Sequence, residues 1–270
     1  MAGSVTGSLT EAAAWLETAL AAADAAGAVI RPYFRQPVTA EMKSDESPVT
    51  KADREAELAI RAVLSARFPS FGMLGEEFPA AEAAGRFTWV IDPIDGTRAF
   101  ITGRPHFCTL IALLEDDVPI LGIIDQPISG ERWIGQRGEK TRFIAPGGKI
   151  AGQVGTRLCA DLAAAECSCT SPDMFLADQK PRFERLKASV RRTSWGGDAY
   201  AYGLLALGMI DVIPEATMKP WDWAALVPVI EGAGGAITDW QGRALDIGGR
   251  GDVLAVGNPA LLPAILDVLR

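Results

Sequence analysis

The chain has 270 residues, 49% hydrophobic and 22% charged, a globular balance with enough apolar content for one large domain or two packed ones. Its formal net charge of −8 argues against nucleic acid or an anionic membrane as a partner and mildly favours cationic ligands. The first 30 residues lack the basic start and compact apolar run of a signal peptide, and no uninterrupted apolar stretch is long enough to span a bilayer, so a cytoplasmic protein is expected.

Ser8 and Glu11 form a capping-box signature, after which Trp15, Leu16, Ala19, Leu20 and Ala23 recur at helical spacing. A loop over residues 36–50 follows and carries Lys43. Ala56, Ala59, Ile60 and Val63 predict a second helix, stopped by Phe68-Pro69. Residues 87–91 read as a short buried strand. Residues 108–114, 120–125 and 131–135 are separated by Asp, Pro and Gly turns and predict an antiparallel meander. The glycine-rich stretch 147–152 is the expected seam between an α+β subdomain (1–147) and an α/β subdomain (148–270). Beyond it the patterns predict a helix near 198–207, a strand at 211–215 and a helix over 222–231, capped by Gly232-Ala233-Gly234-Gly235. Strands at 236–240 and 253–256 follow, and Asn258-Pro259 starts a terminal helix. The cysteines Cys108, Cys159, Cys167 and Cys169 show no zinc pattern and read as reduced core or strand residues.

The stretch Asp92-Pro93-Ile94-Asp95-Gly96-Thr97 follows the 87–91 strand and concentrates chemistry. Two carboxylates stiffened by Pro93, with the Ile94 carbonyl between them, form the oxygen set that hard divalent cations such as Mg²⁺ prefer. Gly96-Thr97 opens a helical turn whose free N–H groups would face an anion. Asp-Pro and Asp-Gly are also ordinary turn dipeptides, so alone the stretch is equally readable as a loop. Gly75-Glu76-Glu77 and Trp221-Asp222-Trp223 add acidic residues, with a solvated glutamate pair and a helix N-cap between core tryptophans as the plainer readings.

Together these motifs resemble the inositol monophosphatase family of Mg²⁺-dependent, Li⁺-sensitive sugar-phosphate phosphatases. Its G-E-E, D-P-[IL]-D-G-T and W-D-x-A-A motifs stand as Gly75-Glu76-Glu77, residues 92–97 and Trp221-Asp222-Trp223-Ala224-Ala225, in family order. The resemblance implies a layered αβαβα fold, α+β in one half and α/β in the other, and a homodimer. It implies that Glu76, Asp92, Asp95, Asp222 and the Ile94 carbonyl hold two or three Mg²⁺ ions. Asp53 would hydrogen-bond Thr97, and Lys43 would match a mobile-loop lysine, with a solvated surface lysine as the alternative.

A phosphate monoester is dianionic and its leaving oxygen gains charge in the transition state. Glu76 and Thr97 would orient the attacking water, with Asp53 behind Thr97, while Gly96 and Thr97 N–H groups hold the phosphate. No His or Cys nucleophile is required, and His106 reads as a structural residue.

The sequence after Thr97, together with Gln126-Pro127, Glu131-Arg132-Trp133 and Gly196-Gly197-Asp198-Ala199-Tyr200, is similar to the histidinol-phosphate phosphatases of the same superfamily, which serve L-histidine biosynthesis. That substrate carries an ammonium and an imidazole, so acidic side chains beside the ester would be useful. Asp198 and Glu215 are the candidates; a helix N-cap and a strand-end surface charge are the respective alternatives. An inositol or broad sugar-phosphate phosphatase, and a non-catalytic metal- and phosphate-binding regulator, are the competing functions. Thr97 with Glu76 argues against the regulator, which would need neither.

Overall fold

The structure is a computed structural model that describes residues 9–37, 40–42, 48–147 and 149–270. Ser8 and Lys43 lie outside the described residues. In chain order the elements are α1 (Leu9–Ile30), β1 (Ala40–Met42), β2 (Pro48–Thr50), α2 (Lys51–Arg67), β3 (Gly72–Gly75), β4 (Phe87–Asp95) and α3 (Thr97–Ile101). Then come β5 (Cys108–Glu115), β6 (Val118–Gln126), β7 (Glu131–Gln136), β8 (Arg142–Ala145), β9 (Lys149–Gln153), β10 (Glu166–Cys169), α4 (Lys180–Ser189) and β11 (Arg192–Trp195). The chain ends with α5 (Asp198–Ala206), β12 (Val212–Glu215), α6 (Pro220–Trp223), α7 (Leu226–Gly232), β13 (Ala236–Thr238), β14 (Val253–Val256) and α8 (Leu262–Leu269).

Among the described residues two large sheets and three helical layers alternate, and β1 and β2 pair as a separate antiparallel two-stranded sheet. The larger sheet runs β3-β4-β5-β6-β7-β8-β9, antiparallel throughout except for the parallel β3–β4 pair. The smaller runs β11-β10-β12-β14-β13. Period-2 alternation explains why both sheets are covered on two faces. On β5, Ile111 and Leu113 join the core under α1 and α2, while Leu110, Ala112 and Leu114 join the core shared with α5 and α7. On β14, Val253 and Ala255 face that same middle core, while Leu254 and Val256 face α4 and α8. The result is the layered αβαβα arrangement that the motifs implied.

The alanines of α1 have a packing role: Ala19, Ala22, Ala23 and Ala26 are fully buried. By length and mean hydropathy residues 10–33 would qualify as a membrane span, although Glu11, Glu17, Asp24 and Arg31 interrupt the apolar run. Their buried face instead packs as a core helix against α2 and the larger sheet.

Two expectations meet a different local structure. The helix expected over 222–231 is two pieces, α6 and α7, parted at Ala224-Ala225. Pro228 is the cause, since it cannot donate to the Ala224 carbonyl four residues back and its ring crowds that oxygen. The break lets α7 settle on the sheet at Gly122, where any Cβ would overlap the Ala225 carbonyl oxygen. The expected boundary at 147/148 falls inside the β8–β9 hairpin, and the larger sheet continues to Gln153. We propose that the change of sheet, between residues 154 and 165, is where the two subdomains divide. At the C-terminus Asn258 caps a short 3₁₀ turn, Pro259–Leu261, that leads into α8. All four cysteines are buried and unpaired.

Candidate active site

Strand geometry becomes site geometry at the end of β4. In an unbroken strand Asp92 and Asp95, three positions apart, would face opposite sides of the sheet. The β4–β5 register shifts between them, with Asp92 opposite Leu110 and Asp95 opposite Cys108, so β4 carries one extra residue. Such a bulge re-aims the side chain that follows it. With Asp222, the pair offers carboxylate oxygens that all lie within 4.8 Å of one another.

Asp222 arrives by a different route. It is the third residue of α6 rather than its N-cap, and its Oδ2 accepts the Lys219 N–H at 2.7 Å. Glu76 follows β3 directly and donates its N–H to the Ile91 carbonyl at 3.3 Å. Behind it, buried Glu57 accepts the Glu77 N–H at 2.8 Å and pairs with Arg61, which fixes the turn of the glutamates. These glutamates are thus held against α2 rather than merely solvated.

Gly96 is required by its backbone and by its surroundings. Its φ of +88° is left-handed, and a Cβ there would lie 3.0 Å from the Asp198 carboxyl carbon. From this turn α3 begins at Thr97, so its first N–H groups have no intrahelical acceptor.

The start of α2 orients Thr97. Thr50 caps α2, and Asp53 Oδ2 accepts the Thr50 N–H at 2.8 Å and its hydroxyl at 2.5 Å. The other oxygen, Asp53 Oδ1, lies 3.3 Å from Thr97 Oγ1, which is also 3.1 Å from the Ile94 carbonyl oxygen. One hydroxyl proton can serve only one of these acceptors at a time.

Burial and crowding act together on the acids. Asp92 is pushed well above the usual carboxylate range by burial first, then by Glu76, Asp95 and Asp222. Asp95 is raised likewise by burial, then by Asp198 and Asp222, against an N–H bond from Ala199 at 2.5 Å. Asp222 is also raised by burial, with Glu76 and Glu215 adding to it. A divalent cation among these oxygens would invert that electrostatic cost. The donor set is all oxygen, so it fits a hard cation such as Mg²⁺ and offers nothing to soft metals.

The acids line a cleft of about 210 Å³ together with Ile94, Gly96, Thr97, Thr170, Asp198, Glu215 and Thr217. Asp198 is not a helix cap: Gly197 holds that position, and Asp198 is the first residue of α5 with φ +45°. Its carboxyl is raised by burial, partly offset by the charges of His106 and Arg98. Glu215 is buried rather than a surface charge; it accepts the Thr170 N–H at 2.8 Å and the Tyr202 hydroxyl at 3.3 Å. Burial pushes it up to about 7. His106 is half-buried, and its ring packs beside Gly196.

Sequence reasoning missed Thr170, Thr217 and the Ala199 N–H. Thr170 follows β10, a strand of only four residues, and no residue pattern announces a backbone donor or a cleft threonine.

Known proteins share this architecture. A model of the inositol monophosphatase family matches residues 11–270. The chain is 47% identical over 226 residues to "Bifunctional phosphatase IMPL2, chloroplastic" from Arabidopsis thaliana, covering 83% of this chain and 63% of that protein. It is 36% identical over 243 residues to a histidinol-phosphatase of Chlorobaculum parvum, covering 89% of this chain and 91% of the relative. An inositol monophosphatase from Zymomonas mobilis superposes with a TM-score of 0.85 at 45% identity, over 97% of this chain and 99% of that one. With the carboxylate cleft on the same layered fold, the chain belongs to the inositol monophosphatase family and is a phosphatase.

Proposed function

We propose that this phosphatase hydrolyses histidinol phosphate, using Mg²⁺ held by Glu76, Asp92, Asp95, Asp222 and the Ile94 carbonyl. The observation that carries the substrate reading is Asp198, whose carboxyl lies against Gly96 at the phosphate end of the cleft. A second carboxyl, Glu215, lines the same cleft, so the wall suits an alcohol bearing positive charge. The similarity to histidinol-phosphatases supports the same reading.

Bound Mg²⁺ would neutralise phosphate charge, favour ionisation of the attacking water and stabilise the leaving oxygen. The protein's own part is positioning. When Thr97 donates its hydroxyl hydrogen bond to Asp53, its lone pairs are left to accept a hydrogen bond from the water. Glu76, across the same cleft, orients that water from a second direction. The N–H groups at Gly96 and Thr97 hold the phosphate oxygens. Lys43 would add a loop contact. Homodimer formation, implied by the resemblance, belongs to the same proposal.

A second reading, an inositol or broad sugar-phosphate phosphatase, is favoured by the 45% identity to the Zymomonas protein. Phosphate release from histidinol phosphate, inositol 1-phosphate and glycerol 2-phosphate, compared with Mg²⁺ present, separates the two. Asp198→Asn sharpens the test, because asparagine tolerates the left-handed backbone and removes only the charge. Asparagine still offers an acceptor oxygen, so the variant loses the charge assistance and not the hydrogen bond, about 1–1.5 kcal/mol or roughly a tenfold drop in kcat/KM. The drop is expected with histidinol phosphate and should be small with glycerol 2-phosphate. Equal losses on both esters would remove Asp198 as the reason for preferring histidinol phosphate.

A further inference from the structure

The segment joining β12 to α6 holds a residue whose backbone argues for a role of its side chain. Among the described residues five non-glycine positions have positive φ: Arg35, Asp116, Asp117, Asp198 and Thr217. Asp116 and Asp117 make the tight turn between β5 and β6, and Arg35 lies just past the helical turn that extends α1. The other two, Asp198 and Thr217, line the cleft. Aspartate tolerates this region, but for a β-branched residue φ +60° is a genuine outlier.

The chain path accounts for the conformation without accounting for threonine. Met218 donates its N–H to the Gly251 carbonyl at 3.0 Å, and a Cβ on Gly251 would overlap the Met218 backbone. That clamp sets the turn by which α6 brings Asp222 to the site. A glycine at 217 would make the same turn without strain. The threonine side chain is exposed, and its hydroxyl donates to the Ala216 carbonyl at 2.6 Å. Its oxygen therefore has its proton committed and only acceptor capacity left over. With Glu215 two residues earlier and Asp198 in the same cleft, the wall is one of acceptors.

We propose that Thr217 is a specificity-determining residue, its hydroxyl oxygen accepting a hydrogen bond from an N–H or O–H donor on the alcohol portion of the phosphate ester. The proposal rests on the reading of this cleft as the ester site, and not on histidinol phosphate as the particular ester.

The test compares Thr217→Gly, Thr217→Val and Thr217→Ser on histidinol phosphate and on phenyl phosphate, whose alcohol portion carries no donor, with Mg²⁺ present. The glycine and valine variants should lose about tenfold in kcat/KM on histidinol phosphate, mostly through KM, and stay within about twofold on phenyl phosphate. Serine keeps the hydroxyl and should stay within about twofold of wild type on both. The melting temperature of Thr217→Gly should hold or rise, because the strain is relieved. Should Thr217→Val fail to fold, the glycine and serine variants decide the matter. Unchanged kinetics, equal losses on both esters, or a lower melting temperature for Thr217→Gly would overturn the proposal. If wild type hydrolyses inositol 1-phosphate and not histidinol phosphate, the substrate reading falls. The same comparison, run with inositol 1-phosphate against phenyl phosphate, then judges Thr217 separately.

Discussion

Replacing Asp95 with asparagine is expected to cut kcat by about a hundredfold or more while leaving the protein folded, comparable to deleting a positioned catalytic group. Asp95 is one of three carboxylates whose oxygens lie within 4.8 Å of one another, so the change removes a negative oxygen donor from the centre of the cluster. Asparagine retains an oxygen for the Ala199 N–H, which limits the structural effect. Stability should move in the opposite direction to activity. Without a cation the acids repel in a buried place, and removing one charge relieves that repulsion. In metal-free buffer Asp95→Asn should therefore melt no lower than wild type. Thermal denaturation and phosphate release on one preparation read both quantities; near-normal kcat in the folded variant would exclude Asp95 from the machinery.

Thr97→Ala is expected to lower kcat by a similar factor, about a hundredfold, with little change in KM. Its hydroxyl sits between Asp53 Oδ1 and the Ile94 carbonyl, and in the proposed mechanism it acts only when water attacks. Thr97→Ser keeps the hydroxyl and should restore most of the rate. Asp53 remains tied to Thr50 in either variant, so α2 keeps its cap and the fold should be unaffected. A Thr97→Ala enzyme with wild-type kcat would leave the water-orienting role unsupported.

The parts of the cleft were legible in the sequence because they sit at punctuated places. A buried strand ending in Asp-Pro-Ile-Asp-Gly-Thr, a Glu-Glu pair and an Asp between tryptophans are local patterns, and the structure gathers all three at one cleft. The β5–β7 meander was equally readable, since apolar runs there are parted by turn residues. What escaped depends on long-range geometry. The bulge that turns Asp95 beside Asp92 is a matter of register against β5, which a single strand does not carry. Strand β11 is largely exposed and reads Arg-Thr-Ser-Trp, without an apolar alternation, because it is the edge of its sheet. The glycines near 147 look like a seam and instead belong to a hairpin. Pro228 was visible, yet its consequence, a broken helix on Gly122, needed the packing partner. The left-handed backbone of Thr217 follows from the chain path between β12 and α6 and runs against its residue type, while at Asp198 the residue type merely permits it.

The central claim, that this carboxylate cleft binds Mg²⁺ and hydrolyses phosphate monoesters, is most directly tested by phosphate release from EDTA-treated protein during stepwise addition of Mg²⁺. Activity is expected to be absent without metal, to return with added Mg²⁺ in wild type, and to stay absent in Asp95→Asn across the same range. Full turnover by the wild-type protein in metal-free buffer would contradict the account.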